Sequence, residues 1–302
     1  MGTVMRFIAT QFAAVAEFFR LLTRHRQLAW ELGRRDLGER YAGQMLGTWW
    51  IVGHPLALML VYLVVFAYVF RIKLGGTADM PRDYATYLLA GLIPWLAFQD
   101  ALSRSTSAVT SQAGLVKQVA FPVELLPVKG IASALATQGA ATVLLLIYTV
   151  LHDGAPPATW LLLPGLWLLQ ACAMVGCAYL LAATGVWVRD LKDVVQVFCT
   201  ANLYLMPILY LPDWVPEIVR PLLWFNPFSA VVWCYQDACY FGRIAHPGAW
   251  FGFAAISLLA LGVLERDGVW ILAGLAAATV SAGLDNRRSP ATAHTDQKTP
   301  RS

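Results

Sequence analysis

Long apolar runs alternate with short polar breaks along most of the chain, and this alternation predicts an all-α, polytopic membrane protein with six crossings of about 30 Å of hydrocarbon. The predicted crossings cover residues 47–70, 84–102, 128–151, 158–188, 194–211 and 249–264. A second apolar run, 269–284, follows a charged break at 265–267, so an extension of the last crossing to residue 284 stays open. We expect one membrane domain over 1–285 and a disordered tail over 286–302.

The segment before the first crossing has a different pattern. In this segment, about residues 5–40, apolar side chains between residues 8 and 22 recur at spacings of three and four, and arginines at 20, 24 and 26 lie nearby. This spacing places one apolar stripe on a helix, which predicts an amphipathic helix in the cytoplasmic membrane interface. A basic leader packed on its own protein is the alternative.

The segment 212–248 is apolar and aromatic, but prolines divide it into pieces too short to cross a membrane. It predicts two short re-entrant or interfacial helices, at about 215–225 and 227–241. The segment 103–127 is a polar break that keeps an apolar ridge of its own, and prolines at 122 and 127 make the preceding residues extended. A simple linker would not need this ridge, so we interpret the segment as a docking element for a soluble partner.

The composition supports a membrane protein. Of the 302 residues, 58% are hydrophobic and only 13% are charged, whereas soluble domains have about 25% charged residues. The net charge of +4 does not indicate nucleic-acid binding, because the lysines and arginines cluster at segment ends. With the N-terminus inside, twelve of them up to the fifth crossing are cytoplasmic and five are external. The positive-inside rule therefore favours a cytoplasmic N-terminus and a cytoplasmic 103–127 segment.

Several kinds of chemistry have no signature in the sequence. It contains no phosphate-binding loop, no HExxH and no GxSxG, so we predict no catalytic residue and no metal site, and no ATP hydrolysis by this chain. The five cysteines form no CxxC pair. All carboxylates fall at predicted ends or loops, which argues against an ion-coupled carrier. Gln138, Gln170 and Asn202 lie within predicted crossings, and we expect them to hydrogen-bond between helices.

Short motifs in a fixed order resemble the membrane subunits of ABC-type polysaccharide exporters, which export O-antigen, capsule or teichoic acid chains. The order runs from about residue 30 to residue 230. The motifs are RDL at 35–37, LGTWW at 46–50, GLIPW at 91–95, FPVELLP at 121–127, RDL at 189–191, MPILY at 206–210 and NP at 226–227.

The resemblance implies six membrane helices with an N-terminal interface helix and a re-entrant pair before the last crossing. It also implies a homodimer in the bacterial inner membrane that works with two copies of a separate ATPase, which would bind the ATP and magnesium. No cofactor is expected in this chain. A coupling helix at about 108–119 would contact the ATPase. The implied coupling residues are Ala108, Leu115, Val116, Lys117, Phe121, Pro122 and Glu124.

A sugar polymer that slides through a channel needs aromatic platforms for its apolar faces. The resemblance implies that the first and fifth crossings line the channel, and both carry suitable side chains. The candidates are Trp50, Tyr62, Phe66 and Phe70 in the first crossing and Tyr204 and Tyr210 in the fifth. The alternative is that these aromatics lie at the membrane interface or in the core.

Arg35, Asp36, Arg40 and Tyr41 precede the first crossing. We expect them at a cytoplasmic entrance, where arginine would bind lipid headgroups or a lipid-linked pyrophosphate. A solvated charged helix end is the alternative. Two other functions stay open: an ABC-type exporter of a drug or lipid, and a membrane enzyme acting on lipid-linked sugars. The enzyme would need clustered catalytic groups at one membrane surface, and the sequence shows none.

Overall fold

All regular structure that the computed structural model describes is helical, which confirms the all-α prediction for this part of the chain. The described residues are 26–65, 81–112, 125–218 and 220–262. The helices are α1 Arg26–Arg40, α2 Trp50–Leu63, α3 Tyr84–Ser105, α4 Leu125–Asp153, α5 Leu163–Trp187, α6 Leu191–Leu205, α7 Arg220–Phe225, α8 Pro227–Gln236 and α9 Pro247–Gly262.

Three helical segments are long and apolar enough to cross a membrane. They are Tyr84–Ser105, Leu125–Asp153 and Ala158–Trp187, the last of which adds a 3₁₀ turn to the start of α5. All three overlap runs that the hydropathy pattern predicts as crossings. A shorter apolar helix covers Pro247–Leu261.

Helix α3 forms the centre of the described bundle. It packs against α4, α5 and α8, while α9 packs against α5 and α8. Its largest buried side chains include Tyr87, Trp95 and Phe98. Close helix approach depends on small residues, as is usual in membranes. A Cβ atom on Gly176 of α5 would lie 2.0 Å from the carbonyl oxygen of Ala260 in α9, so only glycine fits there.

Local sequence explains where several helices start. Asp83 is the N-cap of α3, and its carboxylate accepts a hydrogen bond from the Thr86 backbone amide at 3.2 Å. Asn226 caps α8 in the same way, accepting from Phe228 N at 3.0 Å, with Pro227 at the first helical position.

The predicted fifth crossing, 194–211, is not one helix. Helix α6 ends at Leu205, because Pro207 has no amide hydrogen and Met206 adopts an extended conformation before it. The non-helical segment 206–211 is largely buried, and protein donors satisfy its carbonyl groups. Pro207 O accepts from the Tyr87 hydroxyl at 3.0 Å and from Gln236 Nε2 at 2.8 Å. Irregular backbone of this kind is tolerated in a membrane protein where protein covers it.

Two short helices lie in the proline-divided segment. The second, α8 with the π turn Asp237–Phe241 that follows it, matches the predicted 227–241. The first, α7, begins only at Arg220, because Pro212–Trp214 forms a 3₁₀ turn and the chain is irregular after it. Helix α8 packs against α3 and α9 and is almost fully buried.

Candidate functional site

Polar side chains in the described structure gather at the two ends of the bundle and at its middle. One end contains α1, the start of α4 and the end of α3, and we call it the α1 end. The other contains α7, α8 and the start of α3, and we call it the hairpin end. The α1 end carries a connected set of charges and two cavities.

Five charged side chains of alternating sign form what we call the charge chain. Arg40 Nη1 lies 2.9 Å from Asp100 Oδ2, and Asp100 Oδ1 lies 3.1 Å from Arg104 Nε. Arg104 Nη1 then lies 3.0 Å from Asp36 Oδ2, and Lys129 Nζ lies 3.3 Å from Asp36 Oδ1. These contacts join α1, α3 and α4. Three cations face two carboxylates, so the chain carries one uncompensated positive charge.

Asp36 is the most buried member of the charge chain, with a relative exposure of 8%. Besides its two cations it accepts a hydrogen bond from Ser133 Oγ at 2.8 Å. A buried carboxylate needs such partners, because leaving it unpaired is costly. Helix α1 reaches this position by packing closely on α4, where a Cβ on Gly33 would lie 3.2 Å from Ala132 Cβ.

A cavity of about 260 Å³ lies between α2, α3 and α4, and we call it the α2–α4 cavity. Its walls are amphipathic. The polar lining includes Arg40, His54, Gln99, Asp100, Ser103 and Gln196, and the apolar lining includes Pro55, Leu58, Met59, Leu92 and Leu96. The arrangement suits a molecule with a polar, anionic head and an apolar tail, since arginine recognises phosphate and carboxylate groups.

A second cavity, of about 170 Å³, lies at the start of the segment that follows α3, and we call it the loop cavity. Its lining includes three members of the charge chain, Asp36, Arg104 and Lys129, together with Ser107 and Ala108. The other two members, Arg40 and Asp100, line the α2–α4 cavity. The charge chain therefore runs from one cavity to the other.

The polar residues within the predicted crossings bond between helices, as the sequence indicates. Gln138 Nε2 donates to Gln170 Oε1 at 2.9 Å, and Gln170 Nε2 donates to the Pro94 carbonyl at 2.9 Å. The Tyr235 hydroxyl also donates to Gln170 Oε1. These bonds connect α3, α4, α5 and α8. Asn202 accepts from Asn226 Nδ2 at 2.7 Å, so the prediction is confirmed for all three residues.

The hairpin end contains a buried carboxylate that the sequence did not reveal. Asp237 is 1% exposed and accepts hydrogen bonds from His246 N at 3.0 Å and from Trp250 Nε1 at 3.0 Å, and its other oxygen lies 2.8 Å from His246 Nδ1. The His246 ring stacks on Trp233, with centroids 5.4 Å apart. The only sequence signal is an isolated aspartate in an aromatic segment, with a histidine nine residues later.

A group of acidic and histidine side chains also joins α3 to α4 at the hairpin end. Ligand atoms of Asp83, His152 and Asp153 lie within 4.8 Å of one another, a spacing that could hold a metal ion. Protein groups already satisfy the carboxylates, however. Arg82 Nη1 lies 3.2 Å from Asp153 Oδ2, and the Tyr148 hydroxyl donates to Asp83. In the described structure these residues form hydrogen bonds and an ion pair that connect the start of α3 with the end of α4.

The four predicted entrance residues separate into two groups. Asp36 and Arg40 belong to the charge chain, and Tyr41 is 7% exposed with its ring 5.5 Å from the Arg40 guanidinium carbon. Arg35 instead pairs with Glu39 at 2.6 Å on the exposed face of α1. Of the four predicted entrance residues, only Arg40 lines the α2–α4 cavity.

The described channel candidates lie on α2 and around the end of α6. Trp50 starts α2 and is partly exposed. Tyr62 lies near the end of α2, and the Tyr210 hydroxyl donates to the Tyr204 carbonyl at 3.0 Å. Of the coupling candidates, Ala108 is buried beside the loop cavity. The remaining candidates lie outside the described residues: Phe66, Phe70, Leu115, Val116, Lys117, Phe121, Pro122 and Glu124.

The described residues thus form a bundle with three helical segments of membrane-crossing length and an amphipathic cavity. The chain belongs to the ABC-2 type transporter family, whose model matches residues 27–238.

Similar proteins include ones that are named for O-antigen export or polysialic acid transport. An O-antigen export system permease protein RfbA from Myxococcus xanthus is 29% identical over 244 residues, covering 80% of this chain and 91% of that protein. A protein of the same name from Klebsiella pneumoniae is 26% identical over 67% of this chain and 76% of its own length. The polysialic acid transport protein KpsM of Escherichia coli is 22% identical over 70% of this chain and 80% of its own length.

Proposed function

We propose that this chain is the membrane subunit of an ATP-driven exporter that moves a lipid-linked cell-surface polysaccharide across the bacterial inner membrane. The observation that carries the proposal is the similarity to an O-antigen permease over 91% of that protein's length. The amphipathic α2–α4 cavity supports it, because a lipid-linked sugar has a polar, anionic head and an apolar tail.

In the membrane, the proposed subunit has six crossings and a cytoplasmic N-terminus. The α1 end faces the cytoplasm, and the hairpin end faces outward. The excess of lysine and arginine in segments at the α1 end supports this orientation. Helices α7 and α8 form the re-entrant pair. Their short length and the burial of α8 between α3 and α9 support that assignment.

The exporter contains two copies of this chain and two copies of a separate ATPase subunit, which binds ATP and magnesium. The exposed surface of α6 supports a second copy. Asp193, Gln196, Thr200 and Tyr204 are exposed at spacings of three and four and form one polar ridge on that helix. Polar side chains are costly against lipid, so the ridge suits a polar channel between two copies.

Aromatic side chains line that channel in the proposed function. The Tyr210 hydroxyl donates to the Tyr204 carbonyl at 3.0 Å, and Trp50 lies on the same helix as Tyr62. Phe66 and Phe70 continue the same ridge in the sequence. Sugar rings present apolar C–H faces, so such a surface lets a polymer slide without tight hydrogen bonds.

The α2–α4 cavity receives the lipid-linked end of the substrate. Arg40 supplies the positive charge for its phosphate groups, with Tyr41 supporting the guanidinium from one side. Asp36 contributes through the charge chain. Arg35 precedes the first predicted crossing by about a dozen residues, and there it binds lipid headgroups at the membrane surface. The segment after Ser105 contacts the ATPase through the coupling residues that follow Ala108, which is itself buried beside the loop cavity.

The test is a deletion of the gene in its own host, complemented with wild-type protein or with Arg40→Ala. We expect the deletion strain to lose surface polysaccharide and to retain lipid-linked polymer inside the cell. Arg40→Ala should fail to restore export although its membrane level is normal. Unchanged export by that variant contradicts the entrance role of Arg40. Unchanged surface polysaccharide in the deletion strain contradicts the substrate class and favours a drug or lipid exporter.

Co-purification tests the partner. The wild-type chain in detergent should retain an ATPase subunit, and substitutions within 108–119 should uncouple ATP hydrolysis from export. Normal coupling in such variants contradicts the proposed coupling helix. Glu39→Gln is a suitable control, because Glu39 pairs only with Arg35 on the exposed face of α1 among the described contacts.

A further inference from the structure

The charge chain is placed between the two regions that an exporter must connect. Its Arg40 end lines the α2–α4 cavity, and its Lys129 end lines the loop cavity. Consecutive members lie 2.9 to 3.3 Å apart. A charge added at one end therefore changes the balance of attraction along the whole series, because each inner member is shared between two neighbours of opposite sign.

Asp36 occupies a special place in this series. In the sequence, the segment 106–124 connects α3 to α4: Arg104 lies in the last turn of α3, and Lys129 lies near the start of α4. These two cations contact the same carboxylate, that of Asp36 on α1: Arg104 contacts Oδ2 and Lys129 contacts Oδ1. A single buried side chain on α1 thus connects the end of α3 with the start of α4, the two helices that the segment joins.

We propose that the charge chain transmits occupancy of the α2–α4 cavity to the 106–124 segment, with Asp36 as the positioning residue at the junction. This inference rests on the proposed function. An anionic head that binds Arg40 competes with Asp100 for the guanidinium. Asp100 then attracts Arg104 more strongly and draws it away from Asp36. The loop cavity beside Arg104 gives this side chain and the turn at Ser107 room to shift.

If the charge chain were a brace, that is, if it only stabilised the bundle, its removal would have different measurable effects. It would lower the amount of folded protein when removed, and it would not link ligand binding at one site to ligand binding at another. A relay, in contrast, is a coupling free energy between two sites and is measured as a change in affinity. The same variant can be scored for both properties, so the two roles are distinguishable.

The experiment compares wild type, Asp36→Asn and Glu39→Gln in the complex with the ATPase subunit, reconstituted in phosphatidylcholine vesicles. Asn keeps the size of Asp36 and removes its charge. Glu39→Gln makes the same chemical change three residues later on the exposed face of α1. The measurement is the affinity for a non-hydrolysable ATP analogue, with and without a polyprenyl pyrophosphate. The uncharged polyprenol of equal length is the ligand control.

In wild type and in Glu39→Gln, we expect the pyrophosphate to change the affinity for the ATP analogue by about fivefold or more, as is usual for coupled sites. Asp36→Asn should reduce this factor to near one while the complex forms in normal amount. Retained coupling in Asp36→Asn overturns the relay, as does a wild-type complex that is indifferent to the pyrophosphate. A loss of complex in Asp36→Asn that explains the whole effect also overturns it, because that result identifies a brace.

A second variant strengthens the test. Lys129→Gln removes the other end of the Asp36 contact, and its effect should not add to that of Asp36→Asn, since both act through one carboxylate. Full additivity contradicts the shared junction. Failure of the proposed function has a separate signature: the wild-type chain would not retain an ATPase subunit at all, or its deletion would leave surface polysaccharide unchanged.

Discussion

The contact between Gly185 and Thr106 gives the sharpest test of the packing at the α1 end. Gly185 lies near the end of α5, and a Cβ atom there would be 1.9 Å from the carbonyl oxygen of Thr106. An ordinary contact begins near 3.4 Å, so Gly185→Ala requires a separation of about 1.5 Å. The obstacle is backbone, which cannot rotate away as a side chain could. Overpacking of this kind typically costs about 1–3 kcal/mol.

An alanine at position 185 would displace the backbone at Thr106, where the 106–124 segment begins. Thr106 Oγ1 donates a hydrogen bond to the Ser103 carbonyl at 2.7 Å, and Arg104 of the charge chain lies between these two residues in the sequence. We therefore expect Gly185→Ala to lower both the thermal stability of the detergent-purified protein and the export of polysaccharide.

Gly165→Ala is the matched control for this variant. Gly165 lies in the same helix, and a Cβ there would meet nothing within 4 Å. Alanine has the higher helix propensity, by about 1 kcal/mol, so this change should leave stability equal or slightly raised. Equal melting temperatures for the two variants would refute the packing argument.

Three further predictions concern buried contacts elsewhere. Gln170→Leu should lower the thermal stability in detergent by about 1–3 kcal/mol, because it removes three buried hydrogen bonds, to the Pro94 carbonyl, Gln138 and Tyr235; an unchanged melting temperature would contradict this. Asp237→Ala should reduce the folded yield strongly and Asp237→Asn less, since asparagine keeps an acceptor for Trp250 Nε1; equal yields would argue against the hydrogen-bond role. Gly176→Ala should separate α5 from α9 and lower stability, since the obstacle is again a backbone carbonyl, and wild-type stability would show that α9 can shift freely.

Hydropathy predicted much of this architecture because lipid constrains sequences strongly. A crossing helix must be apolar over about 20 residues, so its position can be seen without knowledge of the fold. The same constraint made Gln138 and Gln170 predictable. An amide at membrane depth must find a partner on another helix, and these two residues bond to each other.

The pairing of charges could not be predicted in the same way. Arg40 and Asp100 are 60 residues apart and belong to different helices. In the sequence, Arg40 precedes the first predicted crossing and Asp100 lies near the end of the second, but periodicity along a helix says nothing about which charges meet. For this reason Arg35 and Arg40 looked alike in the sequence, although only Arg40 reaches the α2–α4 cavity in the structure.

Buried polar groups near helix breaks were also difficult to foresee. We predicted a fifth crossing that continued through Met206 and Pro207, and the donors that bond to the Pro207 carbonyl after the break come from Tyr87 and Gln236, which lie far away in the chain. Asp237 raises the same problem: its burial follows from the way α8 packs on α3 and α9, which is a tertiary property.

The placement of polar residues divides the described helices into a tightly connected group and a thinly packed pair. The amide network ties α3, α4, α5 and α8 together at mid-depth. In contrast, α6 buries only Val195, Cys199 and Asn202 among its fifteen residues. Helix α2 likewise buries one narrow stripe, at Pro55 and Met59. Few buried contacts mean low local stability. Since α2 lines the α2–α4 cavity and α6 contributes Gln196 to it, this cavity lies between the thinly packed pair and two helices of the tightly connected group, α3 and α4.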